Sequence, residues 1–284
     1  SLAAATHRAM CGPSGPEQNK KTPSTGDAAD KAPTKSLGER NYEQFADRYA
    51  QHAAYKAYNA HYDRPNTLAA LPDVAGLAVL DAGCGPGFYA EELLARGARR
   101  VVAVDVTPAF VAMTKERCPA AEVHRADLES PEKLARCVPE SDAFDVVVCA
   151  LVLDYVDDLA AVYREFHRVL KPDGVLVFSV GHPFCDWKML ERKLPDEAKS
   201  YFDTQLFTCA WAGFGEPHPS IASYRRPLSA FLNPLVADAC GGLFRLESFI
   251  EPLPPASMLE AGYKREFDRL SRDPGFMVVR ARKR

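Results

Sequence analysis

The stretch LDAGCGPGFYAEELLARGA, residues 80–98, sets Gly83, Gly85 and Gly87 at alternate positions between an apolar run and a helix-like run, with a carboxylate, Asp81, just ahead of them. Upstream, VAGLAVLDAG (74–83) reads as a buried strand. Downstream, GFYAEELLARG (87–97) reads as a helix with Ala90, Leu93 and Leu94 on one face and Gly97 where a helix ends. Glycines at a strand-to-helix turn let the backbone approach a ligand, and in an open parallel sheet such turns stand at the carboxyl ends of the strands, where ligands bind.

The same rhythm continues along the chain. RRVVAVDV (99–106) is a second strand, after which Thr107 is expected to cap a helix with Pro108 at its first position. AEVHRAD (121–127) and FDVVVCALVL (144–153) are the third and fourth strands. A helix follows from Asp157 or Asp158, with its apolar stripe at Leu159, Val162, Phe166 and Val169 and its end at Lys171–Gly174; VLVFSV (175–180) is strand five. Strands separated by helices imply right-handed crossovers and a parallel sheet, hence an α/β fold.

After strand five the rhythm breaks. Residues 181–226 carry both tryptophans, Trp187 and Trp211, among many other aromatic residues, before a helix resumes in PLSAFLNPLVADAC (227–240). The closing strands are expected in FRLESFIEPL (244–253) and GFMVVRARKR (275–284), the second inserted antiparallel. Residues 1–36, poor in large apolar side chains and rich in Pro, Ser, Thr, Ala and Lys, read as a disordered tail ahead of a domain at 37–284. The tail holds no secretory apolar core, and its lack of an initial Met is that of a trimmed or partial chain.

Composition narrows the partners. The 284 residues are 47% hydrophobic, and 35 Lys and Arg stand against 38 Asp and Glu, a net charge of -3. Only Arg280–Arg284 forms a basic run, so nucleic acid is not the expected partner. No apolar stretch reaches the roughly 18–20 residues of a membrane span. The eight cysteines include no C-x-x-C pair, which fits free thiols in a reducing, cytoplasmic setting and no metal site. The oligomeric state is not legible.

The loop itself discriminates between ligands. Counted from Gly83, a G-x-G-x-x-G pattern fails at Phe88; counted from Gly85, the looser G-x-G-x-x-A form is met by Gly85, Gly87 and Ala90. Pro86 removes one N–H donor that a pyrophosphate would need, and Asp81 adds negative charge beside the loop, which suits an ammonium or sulfonium better. Asp105 ends strand two, where an acid accepts hydrogen bonds from ribose hydroxyls, and Asp127 ends strand three, within reach of an adenine amino group.

Taken in order, VLDAGCGPGFYAEEL, VVAVDVTP, HRADLE, FDVVVCALVLDYVDD and FHRVLKPDGVLVFSV resemble the class I S-adenosylmethionine-dependent methyltransferases, in the small-molecule branch similar to the ubiquinone and menaquinone biosynthesis enzymes. The resemblance covers about residues 40–284. It implies a Rossmann-like, mostly parallel seven-stranded sheet of order 3-2-1-4-5-7-6, strand seven antiparallel, with helices on both faces. It implies S-adenosyl-L-methionine as cofactor: Asp81, Gly83, Gly85 and Gly87 around its methionine end, Asp105 and Val106 at the ribose, Asp127 and Leu128 at the adenine, Cys149 and Ala150 after strand four.

On the acceptor side, His182 in SVGHPF is the first catalytic candidate, since related sequences carry His-Pro-Phe after this strand; the alternative is a histidine that orders the start of the loop. Asp154 in LVLDYV is the second, at a position where similar proteins commonly have His; it could bind an amine, deprotonate an acceptor, or cap the next segment. Tyr49 or Tyr62 is expected to close over the methyl group, Arg225 to meet an anionic substrate group, and Tyr224 to stand beside it. The segment 181–226, with Trp187 and Trp211, is read as a lid over a small hydrophobic or aromatic acceptor, or else as a satellite core that covers a sheet edge. CALVLDY after strand four lacks the Asn/Asp-Pro-Pro-aromatic run of enzymes that methylate adenine or protein glutamine. Two rival readings remain: a cofactor-binding regulatory pseudo-methyltransferase, and an NAD(P)-dependent oxidoreductase.

Overall fold

A parallel sheet needs strands that are buried on both faces, and the apolar runs around the glycines meet that demand. In the computed structural model, which describes residues 35–236 and 242–284, five strands pair in parallel: β1 (Ala78–Ala82), β2 (Arg100–Asp105), β3 (Glu122–Arg125), β4 (Phe144–Ala150) and β5 (Leu170–Gly181). Alternate residues of β1 divide between two cores. Ala78, Leu80 and Ala82 join Phe144, Tyr163, Phe166 and Phe178 on one face, whereas Val79 joins Leu93, Val101 and Val146 on the other.

Helices α4 (Phe88–Ala95), α5 (Pro108–Arg117), α6 (Pro131–Cys137) and α7 (Leu159–Val169) make the crossovers. Past them, β9 (Phe276–Lys283) enters antiparallel between β5 and β8 (Phe244–Ile250), so the order is β3-β2-β1-β4-β5-β9-β8. Strands β6 (Gln205–Ala210) and β7 (Ser220–Arg225) form a separate antiparallel hairpin. Among main-sheet strands alone the order is therefore the 3-2-1-4-5-7-6 implied by the resemblance. The chain reverses its winding between β1 and β4, and the crevice at their carboxyl ends is where such sheets bind ligands.

Local signals set most boundaries. Gly97, at φ 82°, ends α4 while Ala98 N–H reaches back to the Leu93 carbonyl. Asp158, rather than Asp157, starts α7, its carboxylate accepting the Ala161 N–H at 3.0 Å. Other expectations need correction. The segment Lys171–Gly174 does not end the helix: Leu170 already pairs with Phe144, so the turn, with Asp173 at φ 60°, lies inside β5. Strand four stops at Ala150 because Leu151 takes a left-handed conformation, φ 56°. Thr107 stands at the start of α5 without a cap bond from its hydroxyl; its own N–H donates to Asp105 at 2.8 Å.

The N-terminal helices α1 (Leu37–Tyr42), α2 (Ala46–Ala53) and α3 (Arg64–Ala70) precede the sheet. Lys35 and Ser36, assigned to the tail from sequence, are hydrogen-bonded to α1: the Lys35 carbonyl accepts from the Arg40 guanidinium at 2.6 Å and the Ser36 carbonyl accepts the Arg40 N–H at 3.1 Å. Residues 1–34 of the expected tail lie outside the described residues. The segment 181–226 is ordered as α8 (Pro183–Lys193) and the β6–β7 hairpin. Asn41 docks α1 on that hairpin by exchanging two hydrogen bonds with Ala222, at 2.7 and 3.1 Å. Trp211, Phe214 and Ile221 then pack on Tyr42, Phe45, Tyr49 and Tyr155 as a satellite core. Helix α9 (Leu228–Val236) follows, the rest of its expected length falling on residues 237–241, outside the described ones. Two short helices, α10 (Ser257–Glu260) and α11 (Lys264–Leu270), not read from sequence, stand between β8 and β9. Among the described residues, no helix is long and apolar enough to cross a membrane.

Replacing Asp158 with Ala removes the cap of α7 and is expected to lower stability by about 1 kcal/mol, read as a shifted urea midpoint with an unchanged slope.

Candidate functional site

The glycine loop is shaped by what it cannot hold. Gly83, Gly85 and Gly87 all have positive φ, 85°, 53° and 88°. A Cβ on Gly83 would fall 2.2 Å from Val152 Cγ2, so the loop and the turn after β4 touch only because that carbon is absent. At Gly85 a Cβ would meet nothing within 4 Å, because that position faces an open cleft.

The loop's own donors are occupied. Gly83 N–H and Cys84 N–H both donate to the Val104 carbonyl, at 2.8 and 3.0 Å, and Gly87 N–H to the Cys84 carbonyl at 3.0 Å. Gly85 N–H donates to Asp105 Oδ2 at 2.9 Å. Since Pro86 has no N–H, the residues from Gly83 to Gly87 offer no nest of donors to an anion, which removes the physical basis for a pyrophosphate site.

Three carboxylates stand around this loop. Asp105 bonds Gly85 and Thr107 through separate oxygens and lines the cleft, burial raising its pKa against the pull of those N–H groups. Asp81 lies beneath the loop, 1% exposed, with Oδ2 unpartnered among the described residues. Burial first, and the charge of Asp105 second, push its carboxyl up to about 8. Asp127 accepts the Glu129 N–H at 3.1 Å and lies 3.4 Å from the Lys133 ammonium.

The cleft is open to solvent and spans about 650 Å³ of empty space. Its floor and walls come from the carboxyl ends of β1, β2, β3 and β4: Gly83 and Gly85, Asp105 and Val106, Asp127 and Leu128, and Ala150 with the turn that follows. Asp81, Gly87 and Cys149 do not line it; Cys149 is fully buried under the strand end. The roof is aromatic. Tyr42, Tyr49, Phe110 and Tyr155 all face the cleft, and the hydroxyls of Tyr42 and Tyr155 meet at 2.9 Å. Tyr42 crosses Tyr49 edge to face at 4.9 Å and Tyr155 at 5.5 Å. Burial pushes the Tyr49 phenol up to about 12 and raises Tyr42 and Tyr155 as well, so all three remain neutral hydroxyls.

Of the residues expected on the acceptor side, Tyr49 reaches the cleft and Trp211 packs one layer behind it through Phe45 and Phe214. Others point elsewhere. Tyr62 is fully buried, its hydroxyl on the Pro252 carbonyl at 2.6 Å, because it fills a separate cluster with Met258 and Leu270. Arg225 is 1% exposed, and its guanidinium is taken up by the carbonyls of Ser200, Tyr201 and Asp203, at 2.8–3.0 Å, so it meets no anionic group in the cleft. Trp187 stacks edge-on with Tyr201 at 6.1 Å, and Tyr224 is covered by the Arg226 guanidinium at 4.4 Å.

The two catalytic candidates also separate. His182 is tied to the last strands: its N–H donates to the Gly275 carbonyl and its Nε2 lies 2.8 Å from Glu251 Oε1. Asp154 stands next to cleft-lining Tyr155 and accepts the Gly181 N–H at 3.0 Å. Burial raises its carboxyl to about 6. Asp186, missed from the sequence, presses against Gly181 from α8, a Cβ there falling 2.5 Å from Oδ2. Burial and then the charge of Asp154 hold Asp186 at about 8. Tyr42, Phe110 and Tyr155 were missed too. Tyr155 had a signal, its place in the turn after β4, and Phe110 another, in the first turn after Asp105; Tyr42 had none.

Residues 80–178 match a family described as a methyltransferase domain. An uncharacterized protein of Haemophilus influenzae is 26% identical over 238 residues, 79% of this chain and 88% of that protein. The ubiquinone biosynthesis O-methyltransferase of Neisseria meningitidis is 40% identical over 111 residues, 38% of this chain, which therefore spans 45% of that relative. A solved S-adenosylmethionine dependent methyltransferase from Mesorhizobium loti superposes with a TM-score of 0.58 at 24% identity, over 81% of this chain and 100% of that one, and so shares the fold.

The two glycine environments predict unequal substitutions. Gly83→Ala forces a carbon into Val152 and is expected to cost about 1–3 kcal/mol beyond the backbone strain, whereas Gly85→Ala carries only the left-handed penalty of about 1–2 kcal/mol. Urea unfolding of the two variants side by side checks the difference.

Proposed function

Because the chain belongs to the class I S-adenosylmethionine-dependent methyltransferases, with S-adenosylmethionine as cofactor, we propose that it methylates a small, hydrophobic or aromatic, neutral or cationic organic acceptor. The observation that carries this reading is an aromatic roof of Tyr42, Tyr49, Phe110 and Tyr155 over a cleft whose glycine loop has no donors for phosphate. The cofactor supplies a sulfonium methyl group that a nucleophile takes by in-line displacement.

The residues fit that cofactor. Asp105, with lone pairs left on both oxygens, would accept ribose hydroxyls, Asp127 and Leu128 would flank the adenine, and Asp81, seated beneath the loop, would act on an ammonium through its charge rather than by contact. The roof excludes water and offers rigid apolar area, so positioning supplies much of the rate. Where the acceptor must lose a proton, Asp154 is the base. Burial raises both carboxyls of the neighbouring pair, and the charge of Asp154 raises Asp186 further, so the two share a proton more readily than exposed aspartates do. His182, bound to Glu251, is read as ordering the start of α8. With Arg225 enclosed by carbonyls, an anionic acceptor finds no partner there, which favours neutral or cationic molecules.

Three measurements test this. Calorimetric titration is expected to show micromolar binding of S-adenosylhomocysteine and none of NAD(H) or NADP(H), and Asp105→Ala to weaken that binding by about 1–3 kcal/mol; binding of a nicotinamide cofactor alone would overturn the reading. Asp81, protonated below about 8 in the free protein, is expected to ionise when an ammonium arrives. Binding at pH 7 therefore releases a proton, seen as a heat that varies with buffer, and Asp81→Asn abolishes the release. With a radiolabelled methyl donor and a panel of phenols and amines, turnover is expected to rise as pH passes through about 6, where Asp154 ionises, and Asp154→Asn to remove that limb. Saturable cofactor binding with no transfer to any acceptor would instead identify a regulatory binder.

A further inference from the structure

Arg226, the residue after β7, is 4% exposed, and its guanidinium leaves the hairpin on the side opposite to that of Arg225. It donates to the carbonyls of Leu153 at 3.5 Å, Val156, and Asp157 at 3.0 Å. Among the described residues, the carboxylate within ion-pair reach is Asp157, 3.7 Å away on a largely exposed side chain. A buried cation is thus bonded to the carbonyls of a single turn, with the charges of Asp154 and Asp157 acting on it as well.

That turn is fastened to β5 by Leu151 N–H on the Ser179 carbonyl and Gly181 N–H on Asp154, and to the hairpin by Arg226. It opens with Leu151 at φ 56° and continues as one turn of 3-10 helix, Leu153–Tyr155, whose own bonds are Tyr155 N–H to Val152 at 2.9 Å and Val156 N–H to Leu153 at 3.3 Å. Yet it supplies Leu151, Val152, Tyr155 and Val156 to one wall of the cleft, and Val152 bears directly on Gly83. Any loosening of the wall therefore reaches the glycine loop.

We propose that Arg226 is a positioning residue for cofactor binding, which holds the Leu151–Val156 wall against the glycine loop from the acceptor-side hairpin. The proposal rests on S-adenosylmethionine occupying the cleft. A planar guanidinium fork reaches three separated carbonyls at once; a lysine ammonium, a point charge on a flexible stem, does not. Arg225 provides the internal control: it is as deeply buried and also bonds three carbonyls, but those of the 200–203 loop, which contributes nothing to the cleft wall. The hairpin and the cofactor cleft accordingly order together, so that the cofactor prepares the acceptor side.

The test pairs Arg226→Lys with Arg225→Lys and measures both thermal unfolding and calorimetric affinity for S-adenosylhomocysteine. Arg226→Lys is expected to weaken affinity about tenfold in protein that is still folded, and added guanidinium ion to restore part of it in Arg226→Ala. Arg225→Lys is expected to lower the unfolding temperature and leave affinity unchanged. Equal affinities of Arg226→Lys and the parent protein, or equal losses in the two Lys variants, would overturn the proposal. Should the Arg226 variants not fold, hydrogen exchange on the parent protein decides. Saturating S-adenosylhomocysteine is expected to protect 151–157 and 220–226 together, and protection of 151–157 alone would overturn the proposal. Failure of the parent protein to bind S-adenosylhomocysteine would overturn the cofactor assignment first, and is distinguishable because it appears before any variant is compared.

Discussion

The cleft depends on one contact that a single methyl group would abolish. Gly83 and Val152 belong to segments nearly 70 residues apart, yet a Cβ on the first would lie 2.2 Å from the second. Because β1 and β4 are hydrogen-bonded neighbours, the loops leaving them must either clash or separate unless one is stripped of its side chain. The strip at Gly83 lets the turn after β4 close down, and the left-handed Leu151 aims it. The floor of the cleft and its wall therefore meet directly at Gly83 and Val152, the contact through which the proposed role of Arg226 would reach the floor.

Charge follows from the same geometry. The N–H groups from Gly83 to Gly87 are taken up by the Val104 carbonyl of β2, by Asp105 and by the Cys84 carbonyl, so the loop is electrically closed to anions. The uncompensated features are carboxylates: Asp81 with an orphaned oxygen below, Asp105 at the cleft, Asp154 and Asp186 against Gly181. Burying such groups is unfavourable in the free protein, as their raised pKa values state, and a cationic cofactor relieves the cost on binding. The two arginines that could have reversed the sign of the acceptor side, Arg225 and Arg226, are both enclosed by backbone carbonyls.

What could be read from the sequence was local. The glycine spacing, the strand-end acids Asp81, Asp105 and Asp127, and the start of α7 at Asp157 or Asp158 depend on neighbours a few residues away, so pattern reasoning reached them. Asp105 and Asp127 do face the cleft, whereas Asp81 is seated beneath it. What the sequence concealed was which elements close over the cleft. Tyr42 reaches it only because Asn41 fastens α1 to Ala222, a pairing 181 residues apart. Tyr62 and Arg225 failed as acceptor residues for the converse reason: Tyr62 fills a cluster closed by Met258 and Leu270, and Arg225 is surrounded by a loop at 200–203. No feature of YDRP or YRRP discloses either neighbour. Both readings of 181–226, a lid and a satellite core, were open from its aromatic content, but that Trp211, Phe214 and Ile221 gather on Tyr42, Phe45 and Tyr49 needed the fold.

The roof also bears on the chemistry open to the site. Tyr42, Tyr49 and Tyr155 are held neutral by burial, so they present hydroxyl dipoles and ring faces rather than phenolates, and none is a base at neutral pH. His182 Nε2 lies 2.8 Å from Glu251 Oε1, just past the end of β5. In the proposed reading the acceptor's base is Asp154, beside cleft-lining Tyr155, whose carboxyl, raised by burial to about 6, is a stronger base than an exposed aspartate. An acceptor acidic enough to lose its proton to such a carboxylate, or an amine with a free lone pair, matches this equipment. An unactivated aliphatic alcohol does not, since the gap between its acidity and that of Asp154 is larger than positioning alone is expected to bridge.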